Sequence, residues 1–166
     1  MGRITISTSP RLKFETWAAD DFDDLFDLHS DPRVQTSYGP SPEKWTKAGI
    51  RARLDGYIGE QRLLGLTKWK VSLLDGTFIG RAGWSPWGPQ TLEIGYAFKP
   101  EFWNCGYGIE AARAVTTWAV TNRSNDRLVG FALTHNTASR HILERIGMSF
   151  VDYRDIAGVE NAYYEM

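Results

Sequence analysis

The stretch Thr91–Ala114, TLEIGYAFKPEFWNCGYGIEAARA, constrains the fold of this chain more than any other. Its first eight residues alternate. Leu92, Ile94, Tyr96 and Phe98 fall on one face and Glu93, Gly95 and Ala97 on the other, which is the period of a strand. Lys99-Pro100 breaks that strand, Gly106-Tyr107-Gly108 turns the chain, and the alanine-rich run that follows favours a helix. A strand that passes through a glycine turn into a helix is the first half of a crossover unit, and it calls for a sheet with the helix packed on it. The turn admits two readings. It is a tight helix entry, or its bare backbone amides at a helix start cradle an anion.

The rest of the chain supplies that sheet. RLKFETW (11–17) reads as a strand and DDFDDLFDLHSDP (20–32) as a helix with acids in its first turns, where the helix dipole favours them. In 41–65 Ser41 and Pro42 open a helix whose second half Gly56 and Gly59 weaken. TKWKVSLL and TFIGRAGW form a hairpin through Asp75-Gly76. The stretch GWSPWGPQ is turn-rich; 109–122 is an amphipathic helix, RLVGFALT a strand and 137–146 a helix ending at Gly147, and 148–156 and 161–166 are final strands. The order β-α-α-β-β-β-α-β-α-β-β predicts an α/β (α+β) domain around a mixed, mostly antiparallel sheet.

Bulk properties narrow the function. At 166 residues the chain is one domain, 1–166, and a formal net charge of -1 with interspersed signs argues against a nucleic-acid partner. Cys105 is the single cysteine, which fits a reducing, cytoplasmic setting. No apolar run approaches the ~20 residues of a membrane span. No Cys/His spacing suggests a metal. His29 and His141 read as surface residues.

Two constellations carry possible chemistry. Glu93 heads a nearly bare strand face, where small residues beside a carboxylate make a floor for a thin ligand, or a solvated face. In HNTASRHILERIGM (135–148) Asn136 caps a helix and Ser139 sits in its first turn. A dinucleotide fingerprint fits the glycine turn weakly: its third position is Ala111, which some variants allow, but Asp126 precedes the next strand instead of ending it, and no Gly-Lys-Ser/Thr follows for a P-loop.

Taken together, LEIGYAFKPEFWNCGYGIEAARA and NTASRHILERIGM resemble the GCN5-related N-acetyltransferases (GNAT), closest to the RimJ/RimL-like branch, over almost the whole chain. The resemblance implies a GNAT-like fold with splayed central strands and about four helices, and acetyl-coenzyme A as donor. It puts the pyrophosphate on the loop Trp103, Asn104, Cys105, Gly106, Tyr107, Gly108 and Ile109, and the pantetheine arm beside Tyr96, Ala97 and Phe98, with Asn136 orienting donor or acceptor. It implies direct transfer to a primary amine, such as a protein N-terminus or a small molecule. Glu93 is then the general base and Ser139 the partner of the leaving sulfur, while Tyr38, Trp84 and Trp87 wall the acceptor pocket. Cys105 stands where the branch commonly has a basic residue and Asn104 where it has glycine, which keeps open the alternative of a non-catalytic acetyl-coenzyme A sensing module. Many relatives pair as homodimers.

Overall fold

The computed structural model describes residues 2–166. Eight strands form one sheet: β1 Thr5–Thr8, β2 Leu12–Glu15, β3 Lys68–Leu73, β4 Phe78–Gly88, β5 Thr91–Phe98, β6 Arg127–Leu133, β7 Ser149–Ile156 and β8 Val159–Glu165. Their order across the sheet is β1-β2-β3-β4-β5-β6-β8-β7. Every neighbouring pair is antiparallel except β5 with β6. The helices are α1 Phe22–Ser30, α2 Pro32–Gln35, α3 Lys47–Leu64, α4 Tyr107–Asn122 and α5 Thr137–Arg145. The mixed, mostly antiparallel class read from the element order is the class observed.

Alternation along the strands divides the interior in two. Leu92, Ile94 and Phe98 of β5 pack with Ala111, Ala112 and Val115 of α4 and Leu143 of α5. On the other face Leu25 and Leu28 of α1 and Ile50, Leu54 and Tyr57 of α3 enclose Trp17 and Phe78. The register of β4 against β3 slips: Val71 pairs Gly80 while Ser72 pairs Phe78. Ile79 is the extra residue, a β-bulge. It packs in the α4 layer, and Phe78 packs in the α1/α3 layer.

Local differences from the expected elements have simple causes. Gly56 and Gly59 lie inside α3 and do not end it, and no contact there requires glycine, since nothing lies within 4 Å of a Cβ at either position. Their cost is then the intrinsic ~1 kcal/mol each, which a helix of this length absorbs. β1 is short and polar and gave no strand signal, yet it pairs with β2. GWSPWG is not a turn but the second half of β4, paired with β5 out to Gly88.

The feature that makes a site is the incomplete pairing of β5 and β6. They are matched only from Thr91–Glu93 to Arg127–Val129. β5 stays bonded to β4 as far as Phe98, and β6 stays bonded to β8 as far as Leu133. Past Glu93 the two halves of the sheet therefore part, as the resemblance implied, and the β6-facing backbone edge of Ile94–Phe98 has no ladder partner.

Candidate active site

Two concavities meet in that gap. A groove of about 500 Å³ runs beside Tyr96, Ala97 and Phe98 to the start of α4. Gly106 caps α4 with φ +81, and Asn104 has φ +58. Two left-handed residues in one short loop turn successive amides toward a common point, the geometry of an anion nest. The first helical bond of α4 runs from the Glu110 N–H to the Gly106 carbonyl at 3.1 Å. The amides of Tyr107, Gly108 and Ile109 precede it and have no helical acceptor. Trp103 lines the groove and donates its indole N–H to the Phe98 carbonyl at 2.8 Å, tying the loop to the end of β5. Cys105 is exposed and does not line the groove.

A basic residue reaches this loop from elsewhere in the chain. Arg11 donates to the Cys105 carbonyl at 3.0 Å and lies 4.3 Å above the Tyr107 ring. Glu110 holds it by an ion pair at 2.7 Å. No local motif marks Arg11, which sits just before β2 and far from the loop in sequence.

The second concavity, about 250 Å³, lies on the α1/α3 side of the gap and contains Glu93. Glu93 is nearly buried and accepts from Lys68 Nζ at 2.7 Å through Oε2, while Oε1 has no hydrogen-bond partner among the described residues. The strand face beyond it is not bare. A Cβ at Gly95 would lie 2.3 Å from Lys68 Cε, so the lysine crosses the glycine to reach the carboxylate. Tyr38, expected to wall this cavity, lines it.

Ser37, Tyr96, Asn136 and Ser139 line both concavities. Asn136 caps α5 by accepting from the Ser139 N–H at 3.1 Å. The Tyr96 hydroxyl donates to the Ser139 carbonyl at 2.9 Å and lies 3.1 Å from Ser139 Oγ. Burial pushes the Tyr96 phenol well above its ordinary value, so it keeps its proton at neutral pH. Sequence alternation marked Tyr96 as an inward-facing residue but not as a hydroxyl between two cavities.

Three expectations change. Trp84 does not wall the acceptor cavity. It alternates onto the α4 face of β4, is fully buried, and donates to the Val115 carbonyl at 2.8 Å. Trp87 is exposed and reaches the cavity only indirectly, through its packing at 4.7 Å on Phe131, which lines it. His29 is fully buried, not a surface residue: four residues beyond Leu25, it falls on the inner stripe of α1. Burial, with Arg81 and Arg53 nearby, lowers it to about 2, so it is neutral. His141 is exposed, as is His135, and both line the groove.

Among the described residues no helix is long and apolar enough to cross a membrane. The family model described as an acetyltransferase (GNAT) domain matches residues 11–149. YnaD of Bacillus subtilis, described as an uncharacterized N-acetyltransferase, is 25% identical over 145 residues, 85% of this chain and 81% of that protein. A GNAT-family acetyltransferase structure from Bacillus anthracis superposes with a TM-score of 0.81 at 23% identity, covering 98% of each chain. The ribosomal L7/L12 alpha-N-protein acetyltransferase RimL, in complex with coenzyme A, gives a TM-score of 0.83 at 17% identity over 98% of this chain and 97% of its own.

Proposed function

The chain belongs to the acetyltransferase (GNAT) family, and from that premise we propose that it is an acetyl-coenzyme A-dependent N-acetyltransferase of the RimJ/RimL-like kind, acting directly on a primary amine. The observation that carries the reading is the meeting of a long groove ending in free α4 amides with a small cavity holding Glu93. The groove fits a thin, phosphate-bearing donor. The nest at Asn104–Ile109 suits its pyrophosphate, with Arg11 supplying a cation that Cys105 does not, and the unpaired edge of β5 suits the amides of its pantetheine arm. The bound donor supplies an acetyl thioester.

This chain's residues then have separate tasks. Glu93 Oε1, free and on the acceptor side, takes the proton that the attacking ammonium must lose, directly or through water. Lys68 fixes the orientation of the other oxygen of Glu93. Backbone amides of Tyr96–Phe98 donate to the carbonyl oxygen as charge grows there. Tyr96, which keeps its proton, and Ser139 beside it are placed to hydrogen-bond the departing sulfur, which leaves as the thiolate while the proton lost by the amine goes to Glu93. Asn136 holds the α5 turn that sets Ser139.

Thermal unfolding with acetyl-coenzyme A, with NAD as control, tests donor binding. A ligand at ~100 times its Kd adds ~2.7 kcal/mol, a shift of several degrees. Thiol release with a panel of amines then tests transfer. No shift would remove the donor assignment. A shift without release on any amine would leave the chain as an acetyl-coenzyme A-binding module.

A further inference from the structure

The acceptor cavity carries a charge pattern that a simple amine does not explain. Four cationic side chains line it, Lys44, Arg53, Lys68 and Arg81, against one carboxylate, Glu93. Lys68 already pairs with that carboxylate. Among the described residues no carboxylate oxygen lies within 4 Å of Arg81, Arg53 or Lys44. An amine arriving as a cation would meet this excess of like charge.

Arg81 is the centre of the pattern. It comes from the middle of β4 and is 3% exposed. Its Nε donates to His29 Nε2 at 3.3 Å and its Nη2 donates to the Tyr38 hydroxyl. Both acceptors are neutral side chains, with His29 held neutral by its surroundings. Nη1 is buried and has no hydrogen-bond partner among the described residues. A guanidinium does not lose its proton in a protein, so this is a retained buried charge with no carboxylate in contact, and Glu93 acts on it only from a distance. A buried cation short of a hydrogen-bonded anion gains by taking one up.

Tyr38 adds a second contact of the right kind. Its oxygen accepts from Arg81, so its own hydrogen remains to be donated. Tyr38 and Arg81 both line the cavity, as does Glu93. At about 250 Å³ the cavity lies below the ~300–1,000 Å³ of sites for drug-sized ligands, which favours a compact occupant.

We propose that the acceptor is a small primary amine that also bears a carboxylate, of the amino-acid class, whose carboxylate is held by the Arg81 guanidinium and the Tyr38 hydroxyl while its amine faces Glu93. This rests on the acyl-transfer reading for the amine and on Arg81 alone for the carboxylate. The anion completes the coordination of Arg81 and neutralises the excess charge. The ion-paired Glu93 then has only a proton to remove, not a cation to bind. Polyamines and polycationic antibiotics have no group for Arg81 and add charge of the wrong sign.

The experiment has two arms. In the first, thiol release from acetyl-coenzyme A is measured with common amino acids, their carboxamides and putrescine. A free carboxylate is expected to raise kcat/KM about 10- to 100-fold over the matching carboxamide, the range for a hydrogen-bonded charge. Arg81→Met is expected to bring that ratio close to one through KM, and Tyr38→Phe to lower it several-fold. The coenzyme A-induced thermal shift, unchanged in both, reports that each variant is folded. In the second arm, N-acetyl amino acids and N-acetyl amino acid amides are added to the coenzyme A complex and thermal shifts are read. Only the free acids should stabilise the protein, and not in Arg81→Met. Equal turnover or equal stabilisation with acids and amides overturns the proposal, as does a preference that survives both substitutions. No thiol release from any amine, with carboxylate-dependent stabilisation intact, would overturn the acyl-transfer reading and leave the carboxylate site standing.

Discussion

Lys70 on β3 and Arg81 on β4 are directly opposite one another in the sheet, and both are buried. Lys70 is answered by Asp21 at 2.5 Å and Asp24 at 2.7 Å, and Arg3 reaches the same Asp21 at 2.7 Å. Arg81 is answered by no carboxylate, only by a neutral histidine and a phenol. One strand apart, then, the same problem has two solutions. The Lys70 cluster is complete within the chain and ties the 3₁₀ turn at Ala19–Asp21 and the start of α1 to the sheet. The Arg81 cluster is incomplete within the chain, and it lies where the cavity opens. Charge that the fold completes is structural. Charge that the fold leaves open is available to a ligand.

Stability measurements should separate the two most strongly. Asp21→Asn leaves Lys70 and Arg3 without their shared carboxylate. It should cost about 3–5 kcal/mol, as expected when one partner of a buried pair is removed. For a chain of this size that is a fall in Tm of roughly 10 °C. Arg81→Met removes a buried charge that has no carboxylate in contact, at the cost of its bonds to His29 and Tyr38, and should lower Tm by much less than Asp21→Asn. A large loss in Arg81→Met would mean that the fold itself depends on the guanidinium. The Asp21 carboxyl is pushed up by burial, but its bonds to Arg3 and Lys70 outweigh this and hold it below the usual carboxylate range. Its contribution is therefore full above the unfolded-state value near ~4 and is lost as pH falls through the lower folded-state value. Acid unfolding should be less steep in Asp21→Asn than in the wild type.

The next effect is on rate. Glu93→Gln keeps the shape of the carboxylate but cannot take a proton, so turnover at neutral pH should fall ~10²-fold or more with the donor-induced thermal shift retained. A rate unchanged from acid to neutral pH would remove Glu93 from the role of base. Tyr96→Phe removes the hydroxyl between the two concavities. It should lower kcat several-fold and leave KM for the amine nearly alone, since a neutral hydrogen bond contributes ~1 kcal/mol and Ser139 stands 3.1 Å away. A change in KM alone would make Tyr96 a wall rather than a partner of the departing sulfur.

The contrast between the two cations also marks where sequence reading stopped. The glycine turn, the α4 start and the Asn136–Ser139 cap were legible because each is local: a few consecutive residues carry both the signal and its cause. The splayed gap was expected from the family resemblance, not from periodicity. Arg81 was invisible because its partners come from α1 and the loop after α2, 52 and 43 residues away. The Ile79 bulge also breaks the parity of β4, so simple alternation from Phe78 puts Arg81 on the wrong face. His29 could have been found, since Leu25 and His29 are one helical turn apart on a face already known to be apolar. Trp84 was misplaced for the reverse reason. Proline and glycine around it suggested a loop, and a tryptophan in a loop suggests a ligand, whereas the strand runs on and turns the ring into the α4 core.

The smallest effect probes the link between the two cavity charges that do pair. Lys68 reaches Glu93 only by lying across Gly95. In Gly95→Ala the new methyl would meet Lys68 Cε at 2.3 Å and Nζ at 2.7 Å, both at the far end of a flexible side chain. The lysine can swing away at little cost to folding, so Tm should move by no more than a degree or two. What changes is the anchoring of the carboxylate. With the Lys68 ammonium displaced, Glu93 Oε2 loses its hydrogen bond and the carboxylate is free to turn away from the amine. The value of kcat should fall a few-fold at neutral pH with the donor-induced thermal shift unchanged, and Lys68→Met should do the same. If both variants keep the wild-type rate, the ion pair does not orient Glu93, and the excess positive charge of the cavity, with Arg81 at its centre, remains the dominant influence on the reacting amine.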